Sequence, residues 1–367
     1  MSEPIWDQYS NYLQLDKVLQ AQRLSSAVAG APIHDEMLFI QFHQVNELWF
    51  KQILFELQAI QKKFAQNPLP ESDIQPILAY LGRVVEIFKH LESMFDVLET
   101  MPSQSFLDFR QYLGTASGFQ SVQFRQIEVR MGLQRTQRLC VFQGNFDQYL
   151  KDESKMLIAA EERQQSLFSL LEQWLSRTPF VHVGAYQFWG TYYQAVQHMF
   201  ADKTQAIMRL FSGAAQQEQL NIIAKGKQKF EGIFDAEQHA LAQKEGRWRM
   251  SWPALQAALF ITLYRHELIL QAPYNLLTKL MDLDEIVARW RFRHAVMVQR
   301  MVGYERGTGG SSGFEYLQNT VQAHRIFADL YSLSSYLIPS EALPSLPLEA
   351  RQAMHAPGIG APPINFL

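Results

Sequence analysis

Apolar residues recur every three to four positions along most of this chain, a period that admits little besides packed helices. The clearest run lies between Glu36 and Gln61, carried by Leu38, Phe39, Phe42, Leu48, Trp49, Ile53, Leu57 and Ile60. Pro32 precedes it, and Asp35 and Glu36 put negative charge where a helix N-terminus favours it. A second run, Ser72 to Met101, follows the break at Asn67-Pro68-Leu69-Pro70. The same spacing predicts helices over Phe119–Gly132, Glu153–Trp174, Tyr186–Phe211, Gln216–Gln243, Trp252–Leu277, Leu283–Val302 and Phe314–Leu333. Alternating strands with hairpin turns are not found, nor is a fixed-period repeat, so the expected fold class is all-α. No internal linker is long or polar enough to demand two domains. Residues 1–367 read as one helical domain, with a smaller helical lobe at about 185–245 and a Pro-rich tail from Pro339.

Charge and cysteine usage narrow the function. The balance of 33 basic against 36 acidic residues leaves −3, with no basic excess to draw nucleic acid or an anionic membrane. Cys140 is the only cysteine, which excludes an intrachain disulfide and a thiolate-built zinc or iron–sulfur site, and fits a reducing cytoplasm. Met1-Ser2-Glu3-Pro4 lacks the basic region and apolar run of a secretory signal. The most apolar stretch, Ala254 to Leu277, is interrupted by Gln256, by Arg265-His266-Glu267 and by Gln271, a pattern that argues against a membrane span.

Two histidines sit on strongly apolar faces. Trp290, Met297 and Val298 lie within one turn of His294; Phe39 lies one turn before His43, with Asn46 and Glu47 one turn after. Each imidazole reads either as a satisfied core residue or as a functional group. For His294 the functional reading is an axial ligand to haem iron, which needs an imidazole inside an apolar helical pocket. Glu-x-x-His and His-Glu-x-x-His are both absent, so a carboxylate-bridged di-iron site or a zincin site is disfavoured. The segment Gly303 to Gly313 holds five glycines. Its Gly-x-Ser-x-Gly match at Gly309–Gly313 lacks the preceding strand of a nucleophile elbow, and Gly307-x-Gly309 lacks the βαβ context of a dinucleotide loop. There remain two readings: backbone N–H groups poised for an anion, or a plain connection. Arg110, beside Phe109, Tyr112 and Leu113, is either a bidentate carboxylate clamp or a surface arginine packed on Phe109.

Four ordered blocks carry a resemblance. They are Tyr9-Ser10-Asn11-Tyr12-Leu13-Gln14-Leu15-Asp16; His34 to Ile40 continuing through His43-Gln44 and Glu47-Leu48-Trp49; Phe109-Arg110 with Tyr112-Leu113 and Ser117 to Ser121; and Arg291 to Gly313 followed by Tyr316-Leu317. Tyr336-Leu337-Ile338-Pro339 also fits. In these blocks, over nearly its whole length, the chain resembles the tryptophan 2,3-dioxygenase family. The resemblance implies an oxidoreductase carrying haem b, one per subunit, that joins both atoms of O2 to L-tryptophan across the indole C2–C3 bond to give N-formyl-L-kynurenine. It implies a homotetramer. His294 would be the axial haem ligand and His43 the distal histidine near the indole N–H. Phe39 would line the indole pocket, Arg110 would clamp the substrate carboxylate, and Thr308 would contact its ammonium. Ser117 and Gly118 would border the distal side. Tyr9, Tyr12 and Leu13 would complete a neighbouring subunit's pocket. Three departures stand out: Phe106 where some relatives have Tyr, Phe95 where some have Trp, and Val45-Asn46 where relatives often have small hydroxyl residues. They leave open a haem oxygenase acting on a substituted indole or another aromatic amino acid, or a haem-binding sensor without turnover.

Overall fold

The structure is a computed structural model that describes residues 8–138, 150–178, 181–183, 186–303 and 313–355. Among these residues the regular structure is helical, apart from a two-residue antiparallel ribbon pairing His182–Val183 with Tyr186–Gln187. In chain order the helices are α1 (Tyr9–Leu13), α2 (Leu15–Leu19), α3 (Ser25–Val28), α4 (Glu36–Phe64), α5 (Glu71–Ser93), α6 (Phe95–Leu98), α7 (Ser103–Arg110), α8 (Val122–Met131) and α9 (Asp152–Glu162). They continue as α10 (Leu167–Ser176), α11 (Phe188–Leu210), α12 (Gly213–Phe234), α13 (Ala236–Lys244), α14 (Trp252–Leu263), α15 (Leu268–Val302), α16 (Gly313–Ala323), α17 (Ala328–Ser332) and α18 (Leu348–His355). The all-α expectation holds.

Two compact units divide the chain. The first comprises residues 1–56, 83–164 and 285–325. Its core is aromatic: Phe42, Phe50, Phe88, Phe95, Phe109, Phe124 and Trp290 are buried together with Ile53, Leu91, Ile127 and Ala295. Ser121 starts α8 by accepting the Phe124 N–H at 3.2 Å, and Gly132, at φ 124°, ends it in a conformation that few other residues adopt. That cap explains why the helix begins at Val122 rather than at Phe119. Arg130 of α8 grips Glu161 of α9 through two hydrogen bonds, Nε at 2.9 Å and Nη2 at 2.8 Å, and spends Nη1 on the Leu54 carbonyl at 3.2 Å. Near the N-terminus the buried Glu36 carboxylate accepts the backbone N–H of Ser25 (2.7 Å) and Ser26 (3.0 Å) and the Ser26 hydroxyl, which ties α3 to the start of α4.

The second unit comprises residues 57–82, 165–284 and 326–367. At its centre lies α14, buried continuously from Ala254 to Ile261 and apolar almost all round, as a helix enclosed by others should be. Several boundaries differ from those the spacing predicts. The helix predicted over Trp252–Leu277 stops at Leu263, and the next starts at Leu268, so the charged Arg265-His266-Glu267 sits in the turn between them. The predicted gap before Leu283 is instead helix: Thr278 bonds back to the Tyr274 carbonyl (3.0 Å), and Lys279 pairs with Asp282 at 2.7 Å one turn on. The run predicted over Phe314–Leu333 is also broken, at 324–327, where the Ile326 N–H leaves the helical ladder and donates to Asp284 at 2.8 Å. Asp329 accepts the backbone N–H groups of Arg249 (2.8 Å) and Met250 (2.6 Å), fixing the loop before α14.

Candidate active site

The first unit encloses a cavity of about 290 Å³ walled by α4, α6, α7, α8, α15 and α16. Phe39, His43, Arg110, Ser117, Gly118 and His294 all line it. Six of the ten candidate site residues are thus brought together from segments far apart in sequence. Tyr9, Tyr12 and Leu13 are not among the residues lining it; α1 leaves them 75%, 66% and 38% exposed. Thr308, with residues 304–312 of the glycine loop, lies outside the described residues, as does Cys140. Phe95 and Phe106, the two aromatic departures, both face the cavity.

His43 is anchored by its own helix. Its Nδ1 lies 2.7 Å from the Phe39 carbonyl, which can only accept, so Nδ1 carries the proton and Nε2 presents a lone pair. Burial lowers its pKa, against the opposing influence of that carbonyl and of Glu47, so the imidazole is neutral at pH 7. Phe39 packs on it at 4.3 Å between centroids and meets Phe106 at 5.8 Å and Phe109 at 5.3 Å, an aromatic cluster beside the imidazole whose Phe39 and Phe106 line the cavity.

His294 approaches from α15. Its ring packs parallel to Phe95 (5.8 Å, 17°) and tilted to Trp290 (5.6 Å). It is partly buried and lines the cavity. Burial first, then the proximity of His43 and of the Arg291 cation, push its pKa down to about 4. Among the described residues neither of its nitrogens makes a hydrogen bond. It is a neutral, uncommitted imidazole in an apolar enclosure.

This donor set suits a macrocyclic iron. No group of three or more His, Cys, Asp or Glu that could hold a bare ion occurs among the described residues. A haem brings its own ring nitrogens and asks the protein for an imidazole and apolar walls, a set that His294, Phe95, Phe124 and Trp290 could supply. Three buried polar atoms on lining residues lack a partner among the described residues: Asn46 Oδ1, Trp290 Nε1 and Arg291 Nε. Unpaired buried groups of this kind cost about 1–3 kcal/mol each, which an occupant or ordered water would offset.

One wall carries an ionic cluster that the sequence reading misses. Glu128 of α8 accepts Arg125 Nη1 at 2.7 Å, Arg291 Nη2 at 2.5 Å and His324 Nδ1 at 3.2 Å, and Tyr316 bonds Arg125. Burial pushes the Glu128 carboxyl up, but Arg125 and Arg291, with His324, outweigh it and hold it well below the usual range. Both arginines line the cavity. The available signal is spacing: Arg125 and Glu128 are three apart on α8, and Arg291 lies one turn before His294.

Comparison with known proteins identifies the family. The sequence model of the tryptophan 2,3-dioxygenase family matches residues 3–337. A tryptophan 2,3-dioxygenase of Alteromonas mediterranea is 39% identical over 348 residues, covering 94% of this chain and 96% of that protein. Those of Mus musculus (41% over 340 residues; 92% and 84%) and Dictyostelium discoideum (40% over 349 residues; 94% and 87%) are equally near. Identity at this level, running almost from end to end, is beyond what shared helical architecture alone produces: the chain belongs to the tryptophan 2,3-dioxygenase family.

Proposed function

We propose that this chain opens the indole ring of L-tryptophan, inserting both atoms of O2 across the C2–C3 bond to give N-formyl-L-kynurenine. The observation that carries this reading is the cavity itself, where the neutral imidazoles of His43 and His294 and the side chain of Arg110 line one aromatic-rich space. Haem b, one per subunit, supplies the one-electron and O2 chemistry when bound. His294 would hold it, and the aromatic walls would limit the access of water.

The remaining side chains serve the amino acid. A zwitterion with an indole needs a cation for its carboxylate, a partner for its ammonium and an apolar slot for its ring. Arg110 takes the carboxylate, and Phe39 and Phe106, backed by the buried Phe109, line the slot. His43 Nε2, an acceptor by virtue of the Nδ1 bond to Phe39, receives the indole N–H and orients the ring. Phe106 has no hydroxyl to share the carboxylate, so Arg110 carries that contact with less help than in relatives with Tyr there. Ser117 and Gly118 border the ring, and Thr308 takes the ammonium. The exposed Tyr9, Tyr12 and Leu13 complete the site of a second copy within a homotetramer. No helix among the described residues is long and apolar enough to cross a membrane; we place the enzyme in the cytoplasm, with no nucleic-acid partner.

The test loads the protein with haem, reduces it without air, then admits air with L-tryptophan while haem and formylkynurenine absorbance are followed together. Haem binding with stoichiometric product is expected. Haem binding without product from tryptophan would reject the substrate, and failure to bind haem would reject the site.

A further inference from the structure

The ionic cluster beside His294 does more than hold helices together. One carboxylate, Glu128, serves two guanidiniums. Among the described residues Arg291, 5% exposed, has the 2.5 Å contact to Glu128 as its one ion pair, lies over the Phe124 ring at 5.0 Å, and leaves Nε without a partner. A stability role alone is a poor account of such a group, because a buried ion pair seldom outperforms apolar packing of the same volume. Its placement is more informative. Arg291 stands one helical turn before His294 on the same face, and both line the cavity.

We propose that Arg291, held in place by Glu128, is a positioning residue whose fixed positive charge favours the ferrous state of the iron that His294 ligates. The inference rests on the haem reading above. Adding an electron lowers the charge at iron, so a buried cation nearby stabilises the reduced form and a buried anion destabilises it. Arg291 and Glu128 therefore act with opposite signs. In a medium of effective dielectric about 20, one unit charge about 12 Å away changes an equilibrium roughly tenfold. For a one-electron couple tenfold is about 59 mV. An enzyme that uses ferrous iron gains from a cation that keeps iron reduced between turnovers.

The experiment is spectroelectrochemical titration of the haem-loaded full chain and of Arg291→Gln, Arg291→Lys and Glu128→Gln, with haem content measured first. Arg291→Gln should lower the ferrous-to-ferric ratio at a fixed potential about tenfold, Glu128→Gln should raise it, and Arg291→Lys should stay within about threefold of the parent. Shifts of the same sign in Arg291→Gln and Glu128→Gln, or shifts under about threefold in both, would overturn the inference while leaving the haem reading intact. If Arg291→Gln does not load haem, the sign of the Glu128→Gln shift decides. Absence of haem from the parent overturns the reading beneath and the inference with it.

Discussion

Acid should weaken the haem-free protein through His294, by an amount the structure sets. Its enclosure pushes the imidazole from 6.5 down to about 4. Between those values the unfolded chain binds a proton that the folded chain refuses, so stability falls as pH drops. The His294 contribution is intact above about pH 7.5, begins to fall through the unfolded value of 6.5, and is fully lost only below 4. One pKa unit is worth about 1.4 kcal/mol, so His294 removes about 2 kcal/mol at about pH 5 and about 3.4 kcal/mol at most. Against a total stability of about 5–15 kcal/mol that is readily measured. The assay is urea unfolding of the apoprotein and of His294→Gln between about pH 7.5 and 5. His43 and His324 are lowered in both proteins and add a common slope, which the difference removes. Stopping at about pH 5 keeps Glu128, whose stabilising charge is lost only as pH falls below about 4.5, out of the window. The parent should lose about 2 kcal/mol more than the variant across this range. A difference that stays flat would refute the enclosed, uncharged imidazole and with it the argument for an axial ligand kept unprotonated at neutral pH.

Other variants separate binding from turnover and fold from site. His294→Ala should abolish stable haem incorporation, read by haem content after gel filtration; full retention would remove the ligand assignment. His43→Ala should keep its haem but turn over more slowly, since its proposed role is to orient the indole, and unchanged kinetics would reject that role. Arg110→Ala should lose well over tenfold in kcat/KM for tryptophan, because truncating one partner of a buried charge pair costs roughly 2–5 kcal/mol; steady-state kinetics with tryptophan and with an uncharged ester would show whether the carboxylate is the group lost. Glu161→Ala should destabilise the protein by about 3–5 kcal/mol by stranding the Arg130 guanidinium between α8 and α9. A shift under about 1 kcal/mol in urea unfolding would show that the pair is dispensable.

Helices are legible in this sequence because each buries a stripe, and a stripe leaves a period. Boundaries are less legible where something other than the stripe sets them. The turn at 264–267 falls inside an apolar stretch that continues on both sides, so the apolar period does not mark it. The uninterrupted helix through 278–282 is supported by the opposite charges of Lys279 and Asp282, three residues apart, a local pairing invisible to an apolar template. The two-residue ribbon at 182–187 is too short to leave an alternation.

The site divides along the same physical line. His43, Arg110 and His294 stand out in the sequence because each is a polar group in apolar company, and the structure gathers them in one cavity. Arg125, Glu128 and Arg291 do not, because charges on an amphipathic helix ordinarily mark its solvated face. Only the packing of α8 against the last turns of α15 turns those faces inward, and each buried charge then needs the others to be tolerable. Such a cluster has no signature within one helix beyond an Arg-x-x-Glu spacing that surface helices share. It becomes recognisable when a second helix brings a cation to the same carboxylate, one turn from an imidazole that has no hydrogen bond among the described residues. Charge enclosed at that point is costly for folding alone, and it is chemically sensible where an iron must be held in its lower charge state.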